Sequence, residues 1–228
     1  VTEERSQEFA WGGSVLQLVE AGARVETALR EVDRDAALAV LQELAGGLSA
    51  VAAFDQVVAP ALERLGEGWE QGRISLAQLY MAGRITEQLA QALLPAGPEV
   101  LAGGPRLAMG VLCDRHVLGK RIVLATLRSE GYPVIDLGYA LEPDALAARA
   151  VEERLDVLLV SVLMLGSALQ VARLVEALRR RGSGARVGVG GAPFRLDPHL
   201  WRAVGADGSA ATASGAKALV ARLIGSSA

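Results

Sequence analysis

Two regimes of hydrophobic spacing divide this chain. Through residue 94, apolar positions recur every three or four residues, the period of an amphipathic helix. Ala37, Leu38, Leu41 and Leu44 form one stripe, with Asp33 placed to cap its start and Gly46-Gly47 to end it. Val51, Phe54, Val58, Leu62, Leu65 and Trp69 form a longer stripe, and Pro60 inside it predicts a kink. Ser75 can cap a further helix through Leu76, Leu79, Tyr80, Ile85, Leu89 and Leu93. Together with a segment around Val15–Val25, the spacing predicts a bundle of about four helices. Pro95-Ala96-Gly97-Pro98 stops the pattern and opens a linker that runs to Gly104-Pro105.

Beyond the linker, short apolar runs alternate with helical patterns. Strands are expected at Leu107–Cys113, Val134–Leu137, Asp156–Val162, Arg186–Val189 and near Asp207-Gly208. Helices are expected at Leu118–Glu130, Pro143–Arg154, Ala168–Arg181, Leu200–Val204 and Ala216–Ile224. The run Asp156–Val162 is almost continuously apolar, as a strand buried on both faces must be. Five βα units of this length predict an open, doubly wound parallel sheet. The fold class expected is therefore α/β: a helical cap over residues 1–94, a linker over 95–105 and a Rossmann-like domain over 106–228. Ligands of such sheets bind beyond the carboxyl ends of the strands, where loops 113–119, 161–167 and 190–193 gather.

Composition narrows the function. Apolar residues make up 51% of the chain and aromatic ones 4%, so the core is aliphatic. A net charge of −3 does not suit a binder of nucleic-acid phosphates. Arg179-Arg180-Arg181 closes a helix, where cations complement the dipole, and reads as a solvated helix end. The one cysteine, Cys113, excludes an intramolecular disulfide and a cysteine-built zinc site, and its place at a strand end suggests a buried structural thiol. No apolar run is long enough to span a bilayer and the first residues lack a signal-peptide pattern, so a cytoplasmic location is expected.

The chemistry concentrates in Asp114-Arg115-His116-Val117-Leu118-Gly119, between a strand and a helix. A histidine at the mouth of a βα unit can point one ring nitrogen outward to a metal. A carboxylate two residues earlier can hold the other nitrogen, fixing the tautomer and raising the basicity of the free one. Asp114 could alternatively cap the following helix. With only two histidines in the chain, a histidine cage is excluded. One protein ligand suits a metal whose other positions come from a macrocycle.

Asp114-x-His116-x-x-Gly119, Ser161-x-Leu163 and Gly190-Gly191 fall in order at successive strand ends. This triple resembles the signature of the B12-binding domain family, and most closely the corrinoid proteins of methyltransferase systems, over residues 48 to 224. Gly119-Lys120-Arg121-Ile122-Val123, Asp136-Leu137-Gly138 and Gly205-Ala206-Asp207-Gly208 are also similar to the family. The resemblance implies a cobalamin bound with its dimethylbenzimidazole withdrawn from cobalt and His116 in the vacated lower axial position. It further implies Asp114 as the partner of His116, with Ser167 continuing the relay. Arg115, Val117, Leu118, Ser161, Leu163, Leu165, Gly190 and Gly191 would surround the cofactor and its nucleotide tail. Where relatives have threonines after Ser-x-Leu, this chain has Leu165 and Gly166, which bears on the contacts to the tail. Trp69, Leu79 and Tyr80 are the candidates for a lid over the upper face, with bundle core as the alternative for the two aromatic ones.

The resemblance implies a methyl carrier, a non-catalytic component serving methyltransferase partner proteins on the donor and acceptor sides, with a homodimer possible. The alternative is a cobalamin-dependent sensor or regulator acting through a protein partner. Related B12 photoreceptors have a Glu-His pair where this chain has Leu79-Tyr80, and residues 1–94 hold no histidine. The cobalamin subunit of a mutase is a third reading, against which the helical cap counts.

Overall fold

A computed structural model of the chain describes residues 15–94 and 104–225. Most of the expected linker, with its Pro95-Ala96-Gly97-Pro98 break, lies outside the described residues. The chain forms two compact units divided between Leu89 and Ala90.

The first unit is helical: α1 (Val15–Arg30), α2 (Arg34–Leu44), α3 (Ala50–Ala53), α4 (Ala59–Glu70) and α5 (Leu76–Leu93). The Asp33 carboxylate accepts the Ala36 N–H at 2.9 Å and starts α2. Ser75 starts α5 with a reciprocal box: its hydroxyl accepts the Gln78 N–H, and the Gln78 side chain accepts the Ser75 N–H at 3.0 Å. Around Pro60, where a kink is expected, the structure has a change of helix type. A π-helical turn, Phe54–Val58, joins α3 to α4, and Pro60 sits in the first turn of α4. A proline cannot donate to the carbonyl one turn back, and a widened turn accommodates the missing bond. Phe54, Val57, Val58, Ala61 and Leu65 carry the core of this unit. Asp33→Ala is expected to lower the unfolding free energy of this unit by about 1 kcal/mol, read by urea titration of far-UV ellipticity.

The second unit is a five-stranded parallel sheet in the order β2-β1-β3-β4-β5. The strands are β1 (Leu107–Leu112), β2 (Val134–Leu141), β3 (Val157–Ser161), β4 (Arg186–Gly190) and β5 (Gly208–Ala210). The helices are α6 (Leu118–Ser129), α7 (Pro143–Glu152), α8 (Leu165–Leu169), α9 (Val171–Arg180), α10 (Ala192–Leu196), α11 (Leu200–Ala203) and α12 (Ala213–Gly225). Alternation along the central strands sends Leu107, Met109, Val157 and Leu159 to a core with Leu124, Leu127, Leu219 and Leu223. Ala108, Leu158 and Val160 go to the opposite core, with Leu146, Leu174 and Leu178. Both faces are thus covered, the doubly wound arrangement expected from the sequence.

Three elements differ from expectation. β2 runs four residues past Leu137, because two bulges let it continue: Met109 faces Asp136, Gly110 faces Gly138 and Leu112 faces Leu141. The helix expected from Ala168 starts at Leu165 and breaks at Gln170, so Leu165, Gly166 and Ser167 form a first helical turn and not a loop. A short helix, α10, follows Gly191 at once, with Pro193 in its first turn. Among the described residues, no helix is long and apolar enough to cross a membrane.

Candidate functional site

The site lies at the carboxyl edge of the sheet, where β1 and β3 are neighbours and their following helices leave to opposite faces. β1 is buried throughout and delivers the chain to this edge. Cys113 then takes a left-handed conformation (φ 51°), which turns Asp114 inward. Burial, then the nearby Glu142 carboxylate, pushes the half-buried Cys113 thiol up from its ordinary pKa and keeps it protonated.

Asp114 is the centre of the arrangement. Its side chain is 1% exposed, while that of His116 is 58% exposed. Oδ1 accepts the His116 backbone N–H at 2.8 Å and lies 2.5 Å from Nδ1 of the same residue. Oδ2 accepts the Leu163 N–H at 2.8 Å and the Met164 N–H at 3.3 Å. Burial is the largest single influence on this carboxyl and favours the neutral form. The backbone N–H of His116, that of Leu163 and the imidazole together outweigh it, so Asp114 titrates below the usual carboxylate range. An ionised carboxylate only accepts, so Nδ1 must be the donor. In its neutral form the imidazole then keeps its lone pair on Nε2, for which no hydrogen bond is seen among the described residues. Asp114 does not cap the next helix: Val117 holds the N-cap position of α6, without a side-chain bond.

The other expected residues gather on the same edge. Ser161 is buried at the end of β3, paired with Val111 on one side and Gly190 on the other. A Cβ added at Gly119 would stand 3.6 Å from the Ser161 hydroxyl, an ordinary contact, so the two residues lie side by side at this edge. Gly190 lies tight against the sheet, where a Cβ would approach the Ala210 carbonyl to 3.2 Å. Gly191 adopts φ 116° and ψ 177°, and a Cβ there would fall 1.7 Å from the Val162 carbonyl oxygen. Gly191 is therefore required by the fold itself, before any ligand is considered. Arg115 is exposed, and Val117 and Leu118 are half-buried at the start of α6.

Ser167 differs from expectation. It sits in the first turn of α8 and its hydroxyl donates to the Cys113 carbonyl at 3.2 Å, beside Asp114 but not to its carboxylate. The serine braces the turn at Cys113 and does not extend the Asp114–His116 pair. Trp69 and Tyr80 are both exposed, so neither is bundle core.

Two contacts carried no assigned role in the sequence. Lys120, one residue into α6 past Gly119, is buried, with its ammonium 2.5 Å from Asp136 Oδ1 and donating to the Gly138 carbonyl at 3.2 Å. The Ala140 N–H, in the extension of β2, donates to the Asp114 carbonyl at 2.8 Å. The pairing of the stretches around Lys120 and Asp136 could have been suspected from their family-like sequence. The Ala140 contact involves only backbone and has no sequence signal.

The donor set fits a corrinoid. No group of three or more His, Cys, Asp or Glu side chains could hold a metal among the described residues. What the edge offers is a single imidazole nitrogen and an apolar rim of exposed Leu163, Met164 and Leu165. A large macrocycle bringing its own metal and most of its ligands matches this set. A free ion does not.

Comparison with known proteins agrees. Models described as B12 binding domain match residues 110–220 and, separately, residues 22–94, together most of the chain. Dimethylamine corrinoid protein 1 of Methanosarcina acetivorans is 28% identical over 200 residues, covering 84% of this chain and 91% of that protein. The HTH-type transcriptional repressor CarH of Myxococcus xanthus is 34% identical over 172 residues, 68% of this chain and 52% of the repressor. The monomethylamine corrinoid protein of Methanosarcina barkeri has the same fold, with a TM-score of 0.77 at 22% identity, over 88% of this chain and 97% of its own. A sheet edge built around one outward imidazole, in a chain matched along both of its units, belongs to a corrinoid protein of the B12-binding domain family.

Proposed function

We propose that this chain carries a methyl group on a bound cobalamin between methyltransferase partners, and that His116 is the residue that would hold its cobalt. The observation that supports it most directly is the clamped imidazole: Nδ1 held by a buried carboxylate and Nε2 directed out of the loop. The bound corrinoid supplies a cobalt centre able to accept and release a methyl group.

The chain's own residues do three things for that centre. Asp114 fixes the tautomer of His116 and, as an anion, makes Nε2 a stronger donor. Because the same carboxylate also holds two amides of the β3 loop, the ring is aimed by a rigid floor. Gly119 and Ser161, side by side at the same edge, would hold the nucleotide tail, with exposed Leu163 and Leu165 as its apolar wall. Trp69 and Tyr80, exposed on the helical unit, are the side chains proposed to cover the upper face.

A second reading, a cobalamin-dependent regulator acting through a protein partner, draws on the likeness to a transcriptional repressor. Against it, the two histidines are His116 and His199, so the helical unit offers no imidazole to the upper face. His199 holds the N-cap position of α11 without a side-chain bond, and its Nδ1 lies 3.1 Å from the Arg202 guanidinium.

The test is the absorption spectrum of cobalamin-loaded protein. Wild type is expected to show the cofactor with its own base displaced. His116→Ala is expected to lose the imidazole-ligated spectrum and to weaken cofactor retention about tenfold or more. An identical spectrum in the two proteins would remove His116 as the ligand. Assembly that responds to illumination, with no methyl uptake from any methyltransferase, would favour the regulator.

A further inference from the structure

We infer that Lys120 is a positioning residue for His116, acting through the bulged end of β2. The inference rests on the proposed role of His116 and adds to it a buried residue outside the loop that bears that histidine.

A lysine side chain only 5% exposed is an unusual tenant of a helix flank. Desolvating it costs free energy that one ion pair rarely repays, so its retention calls for a reason other than stability. Its contacts supply one. Asp136 Oδ1 accepts the Gly138 N–H at 2.8 Å and so shapes the first bulge of β2. Lys120 closes that turn from the helix side, bonding both the Asp136 carboxylate and the Gly138 carbonyl. Gly138 (φ 94°) and Ala140 (φ 53°) are both left-handed, a costly backbone for alanine that needs anchoring. The strand beyond is what the bulge delivers: the Ala140 N–H to the Asp114 carbonyl, and the Leu141 carbonyl to the Cys113 N–H at 3.0 Å.

Asp114 is thus tethered twice. Its carboxylate is held from the β3 side and its carbonyl from the β2 side. Lys120 governs the second tether. Without it, the extension of β2 loses its anchor, and the loop bearing His116 keeps only one of its two fixings.

The experiment uses Lys120→Met, which preserves volume, with Asp136→Asn as a second variant that keeps the acceptor for the Gly138 N–H. Amide hydrogen exchange on the cofactor-free protein is the primary readout. Exchange at Ala140 and His116 is expected to accelerate about tenfold in both variants, while Leu158 and Val187 keep their rates. On loading with cobalamin, the fraction showing the imidazole-ligated spectrum is expected to fall, with the thermal midpoint little changed. Unchanged exchange at Ala140 would overturn the inference. So would acceleration spread evenly over the sheet, the mark of a merely structural pair. Because the exchange measurement needs no cofactor, it stands whether or not His116 proves to be the cobalt ligand.

Discussion

Gly191→Ala is expected to unfold the α/β unit under conditions where wild type is folded. Two costs combine. At φ 116° and ψ 177° the residue occupies a region open essentially to glycine alone, which for alanine costs about 1–3 kcal/mol. The new methyl would also lie 1.7 Å from the Val162 carbonyl oxygen. That oxygen belongs to backbone, and Val162 is itself held by its N–H to the Gly190 carbonyl at 3.1 Å, so it cannot swing aside cheaply. The sum is expected to exceed about 4 kcal/mol, a large part of what a domain of this size has. Urea unfolding followed by far-UV ellipticity reads it. Gly166→Ala is the control: it lies in α8 with open space around it, and is expected to leave the midpoint unchanged or raise it slightly. Equal behaviour of the two variants would mean that the Gly190-Gly191 turn is not constrained as described.

Asp114→Asn should separate folding from cofactor binding. The carboxylate accepts four N–H groups with two oxygens. An asparagine at this position has one oxygen to offer. If the oxygen stays with His116, its NH₂ group faces the Leu163 and Met164 N–H groups, donor against donor. If it turns to Leu163 and Met164, the His116 ring loses its acceptor. Either way buried donors are left unpaired, and the expected loss is about 2–4 kcal/mol of stability. Cobalamin affinity is expected to fall about 10- to 100-fold, the usual effect of removing the group that orients a metal-ligating histidine. Equilibrium unfolding and a cobalamin titration measure the two losses separately. Wild-type affinity in a variant that unfolds early would reduce Asp114 to a structural clamp.

The sheet and its order could be read because the central strands advertise themselves. Val157–Ser161 is buried on both faces and can be little else. The pair Asp114 and His116 was legible for a different reason: both residues lie in one loop, and their spacing brings carboxylate and ring together locally. What escaped is non-local or carried by backbone. The extension of β2 through Gly138, Tyr139 and Ala140 breaks the two-residue period, since each bulge inserts a residue. The turn Leu165–Leu169 is too short to show helical periodicity and contains a glycine, yet tertiary contacts hold it helical. Ser167 was placed near the right group but on the wrong atom, because the early start of that helix turns its hydroxyl to Cys113. Lys120 lies in a family-like stretch, but nothing in the sequence says that its side chain is buried, which only the fold shows.

The bond between Asp114 and Leu163 spans 49 residues. While the nascent polypeptide ends before Leu163, the carboxylate lacks the two amides that fix it from that side, however well the first crossover has formed. A fragment truncated there is expected to keep the local contact of Asp114 with His116 but to hold it less rigidly than the full domain, with faster amide exchange at His116.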